Sequence, residues 1–491
     1  MKRRVPHPIF LVAMTLLTAL ACEDAATTPG SDGDTDTGEV TDQESLDGDT
    51  NADSPTDSTE GTGPGPVHLT VQDTTVLHDI TSTRDQNYQQ LGSNTRGHMQ
   101  HNACGTLGLL YRKTDLDRKA AAFSLVLYEN GASGTTSQTV YTADYEYQLG
   151  GFNWSLVYDA QCRPSVIRLN EKQYFRHTRD GDAWQQETLD LGLEAALGKS
   201  VTGVNHLAAL ADKDGVTHLL MGVTTSDGVS RVVHAVEGQD GFTLTMAEEM
   251  DSDIWEVFSF AIDDNGGIHS AYKKDRHLYY ARLEGGTWTR EPVILRANFD
   301  TEAAWNASLA LTPTGEPVIA STYIQRVETG SFSYAELRYN TRAKGGAWHS
   351  QTILTKSDGY AGGDGVKYTG DDPCLVFDGQ GRAHLAFNDM ASWHAENGND
   401  YLSGQVRYGY NGGDGWQFFT VVAQQGQSQS PNPLHDFIHP TLAVSWDGDT
   451  LYFAGVERVI EGPTLAFDPG VTVQRRLTLV TANLAPAATA R

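Results

Sequence analysis

Positive charge, cysteine and long hydrophobic runs are all scarce in this chain. Its 491 residues carry 35 Lys and Arg against 63 Asp and Glu, a formal charge of -28. No basic stripe stands out, which excludes the electrostatic footprint of a nucleic-acid binder and direct adhesion to anionic lipid. The apolar run from Ile9 to Ala21 holds 13 residues, short of the roughly 20 that a membrane-spanning helix needs. The four cysteines, Cys22, Cys104, Cys162 and Cys374, form no CxxC or His-Cys cluster of the kind that binds zinc. Beyond Cys22 their number is odd, so in an exported chain at least one thiol is free or pairs with another chain.

Lys2, Arg3 and Arg4 precede the apolar run, so residues 1–21 read as a cleaved secretory signal. Its end, "TALAC", resembles the lipobox of bacterial lipoproteins, with Ala19 at the usual leucine position and Leu20 one place late. The resemblance implies cleavage before Cys22, lipidation of Cys22, and a cell-envelope protein, of the outer membrane, held to the membrane by its lipid alone. The alternative is an ordinary signal cut near Ala21. Residues 23–66 contain 13 Asp or Glu, no Lys or Arg and no aromatic residue. Such a segment buries too little apolar surface to offset its ordering entropy, so residues 22–66 are expected to be a disordered acidic tether. "DGDTDTG" within it is similar to a calcium loop, but its Gly38 falls one place late and no helices flank it.

Residues 67–491 repeat a phrase. It reads "LAALADKDGVTHLLM" from Leu207, "FSFAIDDNGGIHSAY" from Phe258, "ASLALTPTGEPVIAS" from Ala307, "CLVFDGQGRAHLAF" from Cys374 and "TLAVSWDGDTLYFAG" from Thr441, with worn copies from Trp154 and Cys104. The turn glycines Gly215, Gly266, Gly315, Gly381 and Gly448 lie 51, 49, 66 and 67 residues apart. Each phrase is an alternating or apolar run, an Asp/Asn/Gly turn and another run, the composition of a tight hairpin. A second hairpin follows, closed by an aromatic: Trp184, Phe242, Trp288, Trp348 or Trp416. Two hairpins make four strands. Four-stranded units of this length predict an all-β, seven-bladed β-propeller, with six or eight blades as the neighbouring counts. The closing aromatics are expected to fill the gaps between blades. The seventh unit is one strand short, and "VHLTVQDTTVL" (Val67 to Leu77) is expected to complete it and latch the ring.

The phrase resembles the blades of sialidase-like propellers with BNR or Asp-box repeats, whose pattern is Ser-x-Asp-x-Gly-x-x-Trp. "SWDGDTLY" (Ser445 to Tyr452) keeps the Ser, the Asp and a final aromatic, with Asp449 in place of the Gly. The resemblance implies the fold more than the activity. Sialidases hold a carboxylate with three arginines, and no Arg stands at any of the seven strand-entry positions, which argues against sialidase activity.

Propeller ligands sit at one mouth of the central channel, so the residues leading into each innermost strand are the candidate site. These are Asn102 beside His101, Asn153 and Trp154, Asn205 and His206, Trp255 and Glu256 after Asp253, Trp305 and Asn306, Asp371 and Asp372, and His439 after His435 and Asp436. Trp faces stack on sugar rings while Asn and Asp bond hydroxyls, so a glycan or an envelope or extracellular protein is the expected ligand. A hydrolase would need two carboxylates, for which Glu256 with Asp371 or Asp372 are the candidates. A lyase would need a base such as His206 or His439. A structural scaffold is the third reading. No cofactor is expected; Asp358, Asp364, Asp371 and Asp372 are the residues that could offer oxygen ligands to calcium. Long loops enter the sixth and seventh units and interrupt the sixth, marking that side as the expected partner surface.

Overall fold

The computed structural model describes residues 67–82, 98–115, 122–143, 154–170, 172–250, 259–296, 301–304, 306–326, 333–342, 346–355, 365–394, 400–422, 434–461 and 472–486. The expected signal, Cys22 and the expected acidic tether lie outside them. Among the described residues there are 29 strands and one five-residue helix, Leu193–Leu197.

All but one of the strands form seven four-stranded antiparallel blades; the exception, Thr301–Glu302, pairs with Pro317–Arg326. Blade 1 is Met99–His101, Leu107–Asp115, Ala122–Gly131 and Gly134–Ala143; blade 2 is Trp154–Tyr158, Pro164–Asn170, Gln173–Asp180 and Ala183–Leu189. Blade 3 is Val201–Ala211, Thr217–Thr225, Ser230–Gly238 and Gly241–Met250; blade 4 is Ser259–Ile262, Ile268–Lys274, His277–Glu284 and Thr287–Ile294. Blade 5 is Ala307–Leu311, Pro317–Arg326, Ser333–Arg342 and Trp348–Thr355; blade 6 is Gly365–Phe377, Ala383–His394, Asp400–Asn411 and Trp416–Val422. Blade 7 takes Leu434–Val444, Thr450–Glu461 and Thr472–Pro486 from the end of the chain and Val67–Ser82 from its start. The last two pair from Val67↔Pro486 to Ser82↔Val473. The latch expected at Val67 is therefore present and runs five residues beyond Leu77.

Seven hydrophobic clusters hold the ring, one at each seam between neighbouring blades. The seam between blades 7 and 1 joins Leu107 and Tyr111 to Val456, Leu477 and Leu479, so the ring is closed by packing as well as by strand pairing. Each blade buries both faces only against its neighbours, which is why the phrase has to recur. Trp184, Phe242, Trp288, Trp348 and Trp416 pack on the clusters between blades 1 and 2, 2 and 3, 3 and 4, 4 and 5, and 5 and 6 respectively. Trp288 Nε1 reaches Thr245 Oγ1 of blade 3 at 3.3 Å, and Trp348 Nε1 reaches Glu291 Oε1 of blade 4 at 3.1 Å.

The inner hairpin turn shows why the phrase is spelled as it is. Its first residue caps the turn. One oxygen of Asp159, Asp212, Asp263 and Asp378 accepts the amides two and four residues on, all between 2.7 and 2.9 Å. Asn102 does the same at 3.0 Å to Cys104 and Thr106. Thr312 and Ser445 cap with a hydroxyl. Three residues after the cap the backbone is left-handed in every blade, at Gly105, Cys162, Gly215, Gly266, Gly315, Gly381 and Gly448, a conformation that favours glycine. Six residues after the cap, blades 3, 4 and 6 carry His218, His269 and His384.

These histidines belong to buried relays. The second oxygen of Asp378 lies 3.1 Å from His384 Nε2, and His384 Nδ1 lies 2.8 Å from Tyr408 Oη. Asp263, His269 and Tyr280 repeat this at 3.1 and 2.6 Å. Burial alone would raise the two carboxyls, but the bonds from the histidines and the turn amides hold both below the usual range. Burial also lowers both histidines, so each ring is neutral: Nε2–H donates to the carboxylate and Nδ1 accepts from the tyrosine hydroxyl. In blade 3 the chain is Asp212, His218, His234 and Thr245.

Small polar residues four places before the cap stitch inner strands across seams. Ser155 Oγ accepts the amide of Ala209 at 3.1 Å, Ser259 Oγ that of Leu309 at 2.8 Å, and Ser308 Oγ that of Leu375 at 3.0 Å. Cys104 and Cys162 form a disulfide between the inner turns of blades 1 and 2, and Cys374 is free and buried.

Candidate functional site

Antiparallel blades place the inner and outer hairpin turns on one face of the ring, the turn face. The opposite face, the mouth face, receives the starts of the innermost strands. In blades 1, 2, 4 and 5 the innermost strands have 3, 5, 4 and 5 residues, whereas those of blades 3, 6 and 7 have 11, 13 and 11. The longer strands extend on the mouth side. There those of blades 6 and 7 form parallel bridges, Tyr334↔Lys367 and Ser403↔His435, that fuse blades 5, 6 and 7 into one 13-stranded sheet. Parts of the segments expected to be long loops are therefore strand: 365–372, 388–394, 400–404 and 434–437.

The turn cap supplies a common count. Six residues before it stand Arg96, Asn153, His206, Val257, Asn306, Asp372 and His439. In three blades this residue lies in a β-bulge. His206 is skipped between Asn205↔Gly222 and Leu207↔Met221. Asp372 falls between Asp371↔Asn388 and Cys374↔Ala386, and His439 between Ile438↔Val456 and Thr441↔Ala454. A bulge releases a residue from the pleat and re-aims its side chain. Its recurrence at one height is a property of the mouth.

Across the seam between blades 5 and 6 the structure brings three of the expected residues together. Asn306 Nδ2 lies 2.8 Å from Asp371 Oδ1 and 2.8 Å from Asp372 Oδ1. The Asn306 carbonyl accepts the amide of Thr322 at 2.9 Å, and the Thr322 hydroxyl donates to the carbonyl of Gly370 at 2.5 Å. Gly370 has φ 77°, and a side chain there would collide with Leu337. Asp372 has φ 46°, a left-handed conformation unusual for a residue other than glycine. Opposite Asp371, the side-chain oxygen of Asn388 is buried without a hydrogen bond. One strand further out, buried Asp389 receives Gln405 Nε2 at 3.3 Å and Arg407 Nη1 at 3.4 Å, while the Arg407 guanidinium lies over Phe387 and Phe418. In blade 5, Arg338 stacks 3.6 Å from the Tyr323 ring centre and pairs with Glu336 at 2.9 Å.

The remaining candidates are placed as follows. Trp154 is 1% exposed and packs edge-on against His98 in the seam between blades 1 and 2, so its face is closed to any ligand. Asn102 caps the inner turn of blade 1 on the turn face; the innermost strand of that blade begins at Met99, ahead of it, which corrects its assignment to a strand start. Counting back from that cap in the sequence gives Arg96, which lies outside the described residues, as the counterpart in blade 1. Asn205, His206 and His439 sit in innermost strands, with side chains outside the described residues. Asn153, Trp255, Glu256, Trp305, Asp358 and Asp364 lie outside them altogether. Among the described residues no three metal-ligating side chains gather in a group. The strand-start ring was accessible in the sequence, because counting back from the cap finds it; aligning on the worn first phrase instead displaced blade 1.

No protein-family model matches the chain, and no curated protein matches it. Several solved structures share the fold. A polysaccharide lyase described as an ulvan lyase is 11% identical with a TM-score of 0.46, over 78% of this chain and 92% of that one. An α-L-arabinofuranosidase from Fusarium graminearum is 10% identical with a TM-score of 0.38, over 82% and 97%. The β-propeller domain of the Trilobed protease from Pyrococcus furiosus, described as having an open velcro topology, is 8% identical with a TM-score of 0.37, over 80% and 98%. The likeness is one of fold alone.

Proposed function

We propose that the propeller is a recognition module for a neutral, hydroxyl-rich ligand, a saccharide, taken at the mouth face between blades 5 and 6. The observation that carries this reading is the Asn306 amide held between Asp371 and Asp372 across the seam. Carboxylate and amide groups fixed at a bulge, with a strained backbone beneath them, are preorganised to bond hydroxyls. The acidic chain disfavours an anionic ligand. The signal-like start and the lipobox resemblance support a cell-envelope location for this module, with Cys22 as its anchor and residues 23–66 as its tether. A glycan-array screen of the full chain tests the reading. A saccharide retained by the wild type and lost in both Asn306→Ala and Asp372→Ala supports it; unchanged binding in both variants overturns it.

A second reading is a glycoside hydrolase. The two Oδ1 atoms share one nitrogen, so they stand no further apart than twice 2.8 Å. That allows the roughly 5 to 5.5 Å of a retaining pair and excludes the 6.5 Å or more of an inverting one for these atoms. Release of reducing ends from any saccharide found on the array, abolished in Asp371→Asn, would favour it over simple binding.

A further inference from the structure

The turn face carries a feature that the mouth-face reading does not use. Trp446, at the tip of the inner turn of blade 7, is 77% exposed. The other tryptophans whose burial is described, Trp154, Trp184, Trp288, Trp348 and Trp416, are buried or half-buried. An indole left mostly in water forgoes the stabilisation that its burial would bring.

Its mounting is specific. The amide of Gly379, in the neighbouring turn of blade 6, donates to the carbonyl of Trp446 at 3.0 Å. A Cβ at residue 379 would lie against Cε2, Cζ2 and Nε1 of the indole, the last two at 2.8 Å. The ring therefore rests on a glycine that leaves room for it. Next to it, Gly448 faces Asp378 and Arg382 so closely that a side chain there would collide with both. Arg382 Nη2 and Gln380 Nε2 both donate to the carbonyl of Asp447. Two turns from two blades thus fix the backbone under Trp446. One side of the indole is seated and the other is open.

The rim is polar. Asp447 and Gln380 are exposed, and the side chain of Asp449 is 67% exposed. The other exposed large apolar residues, Val71, Val76, Met246 and Leu295, lie on outer strands or just past one, away from this turn. A protein hot spot sits at the centre of a larger interface that excludes water; this plate offers the area of one ring, edged by hydrogen-bond acceptors. That combination fits the face of a pyranose whose C–H bonds point at the indole while its equatorial hydroxyls reach the rim. Two carboxylates on the rim oppose an acidic sugar.

We infer that Trp446 is the platform of a second saccharide site, on the turn face, that takes a neutral β-linked gluco-configured chain with one sugar ring stacked on the indole and hydroxyls bonded to Asp449 and Gln380. The site is independent of the mouth face: it shares no residue with Asn306, Asp371 or Asp372 and stands at the opposite ends of the inner strands.

The test is a titration of the full chain with cellohexaose, read by iodide quenching of tryptophan emission. Saturable protection of the exposed indole at mM sugar is expected in the wild type, consistent with a single-ring contact. Trp446→Ala removes that protection, Trp446→Phe keeps a weakened binding measured by calorimetry, and Leu295→Ala, at an exposed residue away from this turn, titrates like the wild type. Because Trp446 is exposed, the alanine variant folds, and an unchanged melting temperature verifies it. No saturable protection in the wild type, or calorimetric binding by Trp446→Ala equal to the wild type's, overturns the proposal. Loss of protection in Asn306→Ala would likewise overturn it, by assigning the sugar to the mouth.

Discussion

Cys162 is bonded to Cys104 from a left-handed backbone, φ 59°, at the place that glycine occupies in the six other inner turns. The bridge joins the turns of blades 1 and 2 and closes a loop with a sequence separation of 58.

Two effects oppose each other there. A loop of this length is stabilised by its disulfide by about 2–4 kcal/mol, whereas a left-handed residue with a Cβ costs about 1 kcal/mol relative to glycine. Cys104→Ser/Cys162→Ser should therefore melt well below the oxidised wild type. Cys104→Ser/Cys162→Gly should recover part of the loss, by about 1 kcal/mol, because only the strain is relieved. Denaturant melts of the three proteins check this; equal stability of the two double variants would show that the left-handed position is unstrained.

Acid should loosen the ring before the carboxylates titrate. Burial pushes His78, His177 and His234 from the ordinary 6.5 down to about 4, with Lys113, Arg168 and His218 respectively adding to the effect. The unfolded chain takes up these protons near pH 6.5 and the folded chain only near 4. Between those values the unfolded state binds more protons, so stability is complete above 6.5 and falls as the pH drops towards 4. Each shift corresponds to about 3 kcal/mol. His78 makes a local contribution at the latch, where its Nε2 accepts the amide of Thr114 at 3.2 Å. His78→Gln should flatten the melting-temperature profile between pH 6.5 and 4, relative to its own value at pH 8.

The relay carboxylates should be costly to remove. The side chain of Asp378 is fully buried and accepts bonds from the amides of Gln380 and Arg382, from Arg382 Nε and from His384. Asp378→Ala strands all of these donors and should cost about 3–5 kcal/mol. The exposed Asp449→Ala, with a 67% exposed side chain, should change stability by less than about 0.5 kcal/mol. Urea denaturation compares the two directly.

At the mouth, stability and function should part company. Asp372→Gly removes a carboxylate from a φ of 46°. The variant should melt at or above the wild type's temperature, since glycine adopts that φ without strain, and should lose saccharide binding. A melt paired with the array reads both; a large loss of stability would mean that the Asn306 bond outweighs the strain.

The fold was legible because its units repeat. A cap, a left-handed glycine and a closing aromatic recur in several units, and the same physical need produced each copy. The latch was legible from a deficit, since the seventh unit lacked a strand and Val67 to Leu77 supplied one. Blade 1 was misplaced because its turn, Asn102 to Thr106, has Asn for Asp and an extra Cys. The relays were spelled in the phrase as Asp-x-x-Gly-x-x-His and could have been found by comparing the sixth residue after each cap. The bridge from Asn306 to Asp371 and Asp372 was beyond reach, since it spans 65 residues and depends on a bulge whose register no spacing announces. Trp154 failed as a ligand contact for a similar reason: alternation fixes the face of a residue within its own strand, but the neighbouring blade decides whether that face is covered.

The closing strand also sets an order in time. Among the described strands Val67–Ser82 is the first to emerge and Thr472–Pro486, its partner, the last, with Asp79 bonded to Gln474 across 395 residues. Six blades can pair within themselves as they appear, but the seventh waits for the end of the chain. Until then the first strand presents an unpaired edge, with Val67, Leu69, Leu77 and Ile80 uncovered, three seams' worth of apolar contacts held in reserve. A chain of this design therefore needs protection of its N-terminal edge for as long as its closing strand is unmade.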